Sequence, residues 1–422
     1  MVAKINELPV EVLLLIFEQY TLDIRPQSPF DLFSYPRDAL PLDVGTVRCL
    51  PYCGAIVLQA VCRQWKMAAE SPSLWTVLYL DRPSDNKMRQ LTVFLDRAKQ
   101  LPISLTLRQS SEMNAASISL FVSILTDERY VWRWEELLLT ICSEQPGPTC
   151  KALARIFSEA GSSTNLERFA LRVGTLDSTG TFWRPSLPMM LTDVWTAALS
   201  NVSSLKAIDT GALSLFRTVL CMSDSWGQLR HLVTDCGFYG VVESNSPLPS
   251  LLTLLRACPR LEVLHIFQLG WDSADRELRE HGPVPIVSAH IHTFRAQMCK
   301  IPPRFAELVC MPALRRLELI DSCDFESISL CKWLHLSQAR LRMLYLRQTS
   351  LYGLSDAVDY VNMDILRELR VLCVQWRPEG SPEADLGSYI DACRSQFVTG
   401  YLDFKHAIDA YLEDETHSYE YE

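Results

Sequence analysis

Glycine is scarce in this chain, with 16 among 422 residues. None of it forms a Gly-x-Gly-x-x-Gly run or a Gly-x-x-x-x-Gly-Lys loop. The strand-to-helix turns that cradle phosphates in nucleotide-binding α/β proteins are therefore absent. Histidine is scarcer still, at 8 residues, and no His-Glu-x-x-His or Gly-x-Ser-x-Gly motif occurs. No uninterrupted apolar run approaches the length of a membrane span, and no early apolar segment has the form of a signal peptide. These absences predict a chain that works in the cytoplasm and/or the nucleus, with no membrane partner. Positive charge is also in deficit, with Lys and Arg at 40 against Asp and Glu at 50, a net of −10. Phosphate backbones need a broad basic face, so nucleic acid is not an expected partner.

The cysteines number 14 and are scattered rather than clustered. Cys221, Cys258, Cys310 and Cys373 sit inside apolar stretches, which predicts small buried thiols in a reducing compartment. Cys49 and Cys53 lie close together, but no second pair completes a zinc site. His290 and His292 would share one face of a strand, yet no third ligand accompanies them. Neither a metal nor a cofactor is expected. Catalysis has equally little support. Glu135 and Glu136 are adjacent acids, but in a strand they face opposite sides and cannot share a proton.

What the chain does have begins at its start. Leu8-Pro9-Val10-Glu11 opens a helix that Asn6 can cap, with Pro9 in the first turn and Glu11 favoured by the helix dipole. Val10, Leu13, Leu14 and Phe17 form one apolar stripe, and Val12, Leu15 and Ile16 form a second. A helix apolar nearly all round must be covered on all sides, and a small segment can cover only part of it from within. Further on, Val61, Cys62 and Trp65 recur at helical spacing, and Pro72-x-Leu74-Trp75 closes the unit. Together, Leu-Pro-x-Glu, Ile16-Phe17, Val-Cys-x-x-Trp and Pro-x-Leu-Trp resemble the two halves of an F-box. The resemblance covers about the first eighty residues. It implies a small helical trio that docks on a Skp-type adaptor and, through it, on a cullin ubiquitin ligase. By position it implies that Leu8, Pro9, Ile16, Phe17, Val61, Cys62 and Trp65 dock or support the docking surface. The halves are separated by an insert over about residues 21–54, rich in proline (Pro26, Pro29, Pro36, Pro41, Pro51). A connection this long is usually functional or disordered. Such inserts are a point of similarity to mushroom-type fungal F-box proteins.

From Pro102 onward the chain repeats a Leu-x-x-Leu-x-Leu form. Clear copies start at Leu261, Leu314, Leu341 and Leu369, and weaker ones at Pro102, Trp134, Leu166, Leu205, Leu229 and Ile291. Successive starts are 32, 32, 39, 24, 32, 30, 23, 27 and 28 residues apart, around the period of leucine-rich repeats but irregular. Helical patterns fill the intervals, over 150–160, 251–258, 303–311 and 331–336. Strand then helix in alternation predicts stacked parallel strands with helices on one side. A doubly wound α/β domain has the same alternation, but it would carry the glycine loops that are missing here. The expected fold class is thus α/β: an N-terminal helical F-box over 1–80, then a leucine-rich-repeat-like solenoid over 81–395, with parallel strands on the concave face and helices on the convex face. Residues 396–422 form an acidic tail, with seven acids against Lys405 between Asp403 and Glu422. Such an end is expected to be solvated.

In that geometry the leucines point inward and alternate residues point out from the strand face. The outward positions are His265 and Phe267, Arg295 and Gln297, Arg316 and Glu318, Tyr345 and Arg347, and Cys373 and Gln375. Earlier copies offer Arg108, Arg168, Arg172 and Asp209. Arginines mixed with aromatics suit protein recognition. His265, Phe267, Arg295, Arg316, Glu318, Tyr345 and Arg347 are accordingly the expected target-binding residues. Arg295, Arg316 and Arg347 would make a loose exposed basic patch for an acidic or phosphorylated target. The expected role is non-catalytic: one end held by the adaptor, the other holding an unknown target protein. A scaffold or inhibitor on the same solenoid remains open, because helices at the start could simply cap the first repeat.

Overall fold

The structure is a computed structural model. It describes residues 8–23, 54–81, 84–109, 115–142, 147–160, 164–176, 182–183, 188–214, 224–235, 247–267, 285–297, 305–320, 327–348 and 371–376. The inserted stretch between the two motif halves and the acidic tail lie almost wholly outside these residues. The chain divides into two units, residues 1–213 with 220–228, and residues 214–219 with 229–422.

The first unit opens with three helices: α1 (Val10–Asp23), α2 (Gly54–Gln59) and α3 (Arg63–Ala68). They pack on one another, and a single 3-10 turn, Pro72–Trp75, follows. Asn6 falls outside the described residues. The Pro9 carbonyl accepts from both Val12 N and Leu13 N at 3.1 Å. Pro9 therefore stands just before the helix rather than within its first turn.

Strand and helix then alternate. In order come β1 (Val77–Asp81), α4 (Asp85–Arg97), β2 (Ile103–Gln109), α5 (Ala115–Thr126) and β3 (Trp134–Cys142). They are followed by α6 (Gly147–Ala160), β4 (Arg168–Leu176), β5 (Phe182–Trp183), α7 (Pro188–Asn201) and β6 (Ala207–Ser214). Strands β1, β2, β3, β4 and β6 pair in that order, all parallel, and β5 adds to β4 antiparallel. The register places Leu78, Leu105, Leu137, Phe169 and Ile208 in one row, and Leu80, Leu107, Leu139 and Leu171 in the next. These rows face the helices. Phe169 meets Phe157 of α6 at 4.9 Å and Trp195 of α7 at 4.8 Å between ring centroids. Helix α4 shows why the pattern folds this way. Ser84 accepts from Lys87 N at its start, and Met88, Leu91, Leu95 and Ala98 bury at helical spacing. The helix ends at Lys99, which adopts φ 52°.

The second unit carries β7 (His231–Asp235), α8 (Pro247–Ala257), β8 (Val263–Phe267), β9 (Ile286–Val287) and β10 (Thr293–Gln297). Next come α9 (Phe305–Leu308), β11 (Val309–Cys310), β12 (Arg316–Ile320), α10 (Ser327–Ser337), β13 (Met343–Gln348) and β14 (Val371–Trp376). Strands β7, β8, β10, β12, β13 and β14 form a parallel ladder, and β9 pairs with β11 alone. Leu232, Leu264, Phe294, Leu317, Leu344 and Leu372 lie in register. Phe294 of this row packs on Phe305 and Trp333, whose helices thereby cover the same face. The indole N–H of Trp333 donates to Val309 O at 2.8 Å, tying α10 to β11. Helical patterns expected over 150–160 and 331–336 fall within α6 and α10, and that over 251–258 runs one residue past the end of α8. That over 303–311 is a four-residue helix followed by the short strand β11.

Candidate interaction surfaces

The helical trio has a core of its own. Phe17 and Trp65 lie 4.8 Å apart between ring centroids, with Leu13, Ala55, Leu58, Ala68 and Ala69 buried around them. Polar contacts tie the two sequence halves together across the insert. Ser73 Oγ donates to Glu18 Oε1 at 2.8 Å, and Gln64 Nε2 donates to Leu8 O at 3.4 Å. Trp75 anchors the unit below: its indole donates to Ala69 O at 2.9 Å, its ring meets Phe94 of α4 at 5.3 Å, and Arg97 lies 4.4 Å over it.

The trio leaves large apolar side chains open to solvent. Leu15 is 67% exposed, Met67 57% and Val61 53%, and Val10, Val12, Ile16 and Val57 are exposed beside them. Of the first stripe on α1, Leu13 and Phe17 turn inward, while Val10 at its start stays exposed and Leu14 is half-buried. The second stripe, bearing Val12, Leu15 and Ile16, turns outward. Among the residues singled out from the motif, Pro9, Ile16 and Val61 are exposed and Leu8 is half-buried. Phe17 is buried, Trp65 half-buried, and half-buried Cys62 stands at the extended N-cap of α3, so these three build the unit rather than face outward. Leu15, Val57 and Met67 join the exposed set although no motif position marks them.

The strand face opposite the leucine rows differs from expectation. The alternation itself holds: Val233, His265, Arg295, Glu318, Tyr345 and Cys373 stand in one cross-strand row. Arg316 lies in the row before it and Arg347 in the row after. But these positions are not an exposed basic patch. Arg295 is 2% exposed, and His265, Phe267, Gln297 and Glu318 are buried too. Charge compensation inside the ladder makes the burial of Arg295 and Glu318 tolerable. The Glu318 carboxylate lies 3.5 Å from Arg295 Nε on one side and is paired with Arg316 on the other. The rings of His265 and Phe267 pack at 4.0 Å between centroids, tilted by 42°. Burial holds the Glu318 carboxyl above its ordinary range, and its two arginines offset only part of that rise. Tyr345 and Arg316 are half-buried, and the side chain of Arg347 lies outside the described residues. The first unit repeats the theme at Glu136, which is fully buried and lies 3.3 Å from Arg168. It sits beside a register shift between Ile103 and Ser104 that leaves Glu135 unpaired in the ladder.

Cys150 and Cys258 are buried, and burial raises their thiols to about 11 and about 12. Among the described residues no three His, Cys, Asp or Glu side chains come together as a metal site. No helix among them is long and apolar enough to cross a membrane. No protein-family model matches the chain, and neither does any curated protein.

Proposed function

We propose that the chain is the target-recognition subunit of a Skp–cullin–F-box ubiquitin ligase, binding a Skp-type adaptor through its N-terminal helices and a target protein through its repeats. The observation that carries this reading is the open apolar side of the trio. A unit this small fills its own core with Phe17 and Trp65 and still leaves Leu15, Val61 and Met67 exposed. Large apolar side chains left exposed on so small a unit point to a protein interface. The motif residues Pro9, Ile16 and Val61 lie among the exposed set. The subunit would not transfer ubiquitin itself. It would act by proximity, one end held on the adaptor while the strand-and-helix ladder carries the target.

A second reading has an observation in its favour. Trp75 packs on Phe94 of the first repeat helix, which is what a cap on an open repeat end does. A stand-alone scaffold would need no more than that. The two readings part at the outer face, which a cap has no reason to leave apolar.

The test is co-purification of the full chain with a Skp-type adaptor, wild type beside a Leu15→Asp/Val61→Asp variant. Burying what is still exposed of these two aliphatic side chains contributes about 2–4 kcal/mol to binding. The variant should therefore lose the adaptor while keeping its circular dichroism spectrum, because both side chains project into solvent. Failure of the folded wild-type chain to recover the adaptor would leave the scaffold reading in place.

A further inference from the structure

The residues that enter the strands of the second unit form a ladder of their own. The backbone links them one to the next: Glu262 N donates to Arg230 O at 2.8 Å, His292 N to Glu262 O at 2.9 Å, Arg315 N to His292 O at 2.9 Å, and Arg342 N to Arg315 O at 2.7 Å. Arg230, Glu262, His292, Arg315 and Arg342 are thus lateral neighbours along one rim, at the strand spacing of about 4.8 Å. Arg260, His290 and Arg340 stand two positions earlier, in the turns that lead into it. All but the half-buried Glu262 are exposed. Among the described residues the rim carries five arginines and two histidines against that one acid. Glu262 is engaged by Arg230 at 3.0 Å and His292 at 4.0 Å. At the other end of the row His292, Arg315 and Arg342 follow one another directly.

This clustering is not a general property of strand entries in the chain. The equivalent positions of the first unit are Glu135, Glu167 and Lys206, linked by the same backbone pattern, with Lys206 paired to Glu167. Nor does the composition favour it, since the chain as a whole has a net charge of −10. A concentrated cationic strip on an acidic protein attracts a short anionic segment and repels a long polyanion that must also pass over acidic surface. Guanidinium groups in a row match carboxylate and phosphate oxygens in bidentate geometry.

We propose that this rim docks an extended peptide segment bearing several carboxylates or phosphates, laid across the strand entries. The proposal goes beyond the adaptor reading and does not depend on it. It moves anion recognition from the buried Arg295–Glu318 ladder to the exposed edge of the same unit.

Fluorescence anisotropy tests it on the full chain, without adaptor, at low ionic strength. The probes are a labelled Glu/Ser peptide, the same peptide phosphorylated on its serines with glutamine in place of glutamate, a Gln/Ser control, and a single-stranded oligonucleotide of matched charge. One or both anionic peptides should bind, the ratio between them telling carboxylate from phosphate, and the control should not. Arg315→Glu/Arg342→Glu should weaken binding by at least about tenfold, because rim charges of the wrong sign oppose encounter and contact alike. Glu262→Gln should strengthen it, which a merely structural role for the rim would not produce. If the double variant misfolds, Arg342→Gln alone serves, with a smaller loss. Binding of neither peptide, equal binding by the folded variant, or tighter binding of the oligonucleotide would overturn the proposal. Adaptor capture is read separately, so failure of one leaves the other standing.

Discussion

Removing the carboxylate of Glu318 should destabilise the second unit more than removing either arginine around it. Arg295 is 2% exposed, and the Glu318 carboxylate stands 3.5 Å from its Nε. Breaking a buried pair by deleting one partner costs about 3–5 kcal/mol, because the charge left behind stays dry. Glu318→Leu should therefore fall in that range. Arg295→Met should cost less, since Glu318 keeps its pair with Arg316, whose side chain is 31% exposed and can recruit water. Replacing both residues removes both buried charges, and the double variant should sit near wild type, as apolar replacements of buried ion pairs often do. The cycle then yields a coupling of about 2 kcal/mol or more. In a unit of roughly two hundred residues each kcal/mol moves the melting temperature by about 2–4 °C. The Glu318→Leu transition should come at least about 6 °C early, and the double variant should recover most of that. Thermal melts followed by circular dichroism read all four corners. A Glu318→Leu cost below about 1 kcal/mol, or additive single variants, would refute the idea that this ladder is closed by its own charges.

Two further outcomes follow from local features. Lys99 ends α4 with φ 52°, a left-handed conformation that costs a side chain about 1 kcal/mol, so Lys99→Gly should raise stability by about 0.5–1 kcal/mol in urea denaturation. For Cys258, burial holds the folded thiol at about 12 against 9.0 unfolded, so the folded state keeps a proton that the unfolded state releases between those values. Its contribution is fully present below pH 9.0 and is lost as pH rises toward about 12, and Cys258→Ala should flatten that part of a stability profile measured by denaturant titration.

Much of the repeat architecture was legible because one residue type carries it. Each of the ten Leu-x-x-Leu-x-Leu starts read from the sequence stands within two residues of a strand, from β2 at Ile103 to β14 at Val371. The leucines are readable because a row that faces helices on every repeat admits little else. Strand β1 escaped, although Val77-Leu78-Tyr79-Leu80 begins only two residues after Trp75. It lacks the second leucine pair, and its pairing to β2 is visible only once Leu78 and Leu80 fall beside Leu105 and Leu107. The stretch from 268 to 284 lies outside the described residues, so no helix is placed between β8 and β10.

The polar positions were read in the right rows and given the wrong environment, and the cause lies in what periodicity encodes. Alternation says which face a residue points to, and it placed Arg295, Glu318 and Tyr345 together correctly. It says nothing about what lies over that face. A solenoid strand face was taken as open because its residues are polar, yet polarity is equally what a closed ion ladder requires. The arrangement of Glu318 between Arg295 and Arg316 was the available clue: a carboxylate flanked by two arginines can close an ion ladder that is buried as a unit. The N-terminal helices show the converse. Both stripes of α1 are apolar, so sequence alone could not say which one the trio keeps. Phe17 decides it by meeting Trp65, a contact between residues 48 positions apart. Once that ring pair forms, 3.6-residue periodicity sends Val12, Leu15 and Ile16 to solvent, and the exposed surface is a consequence of how the core closes.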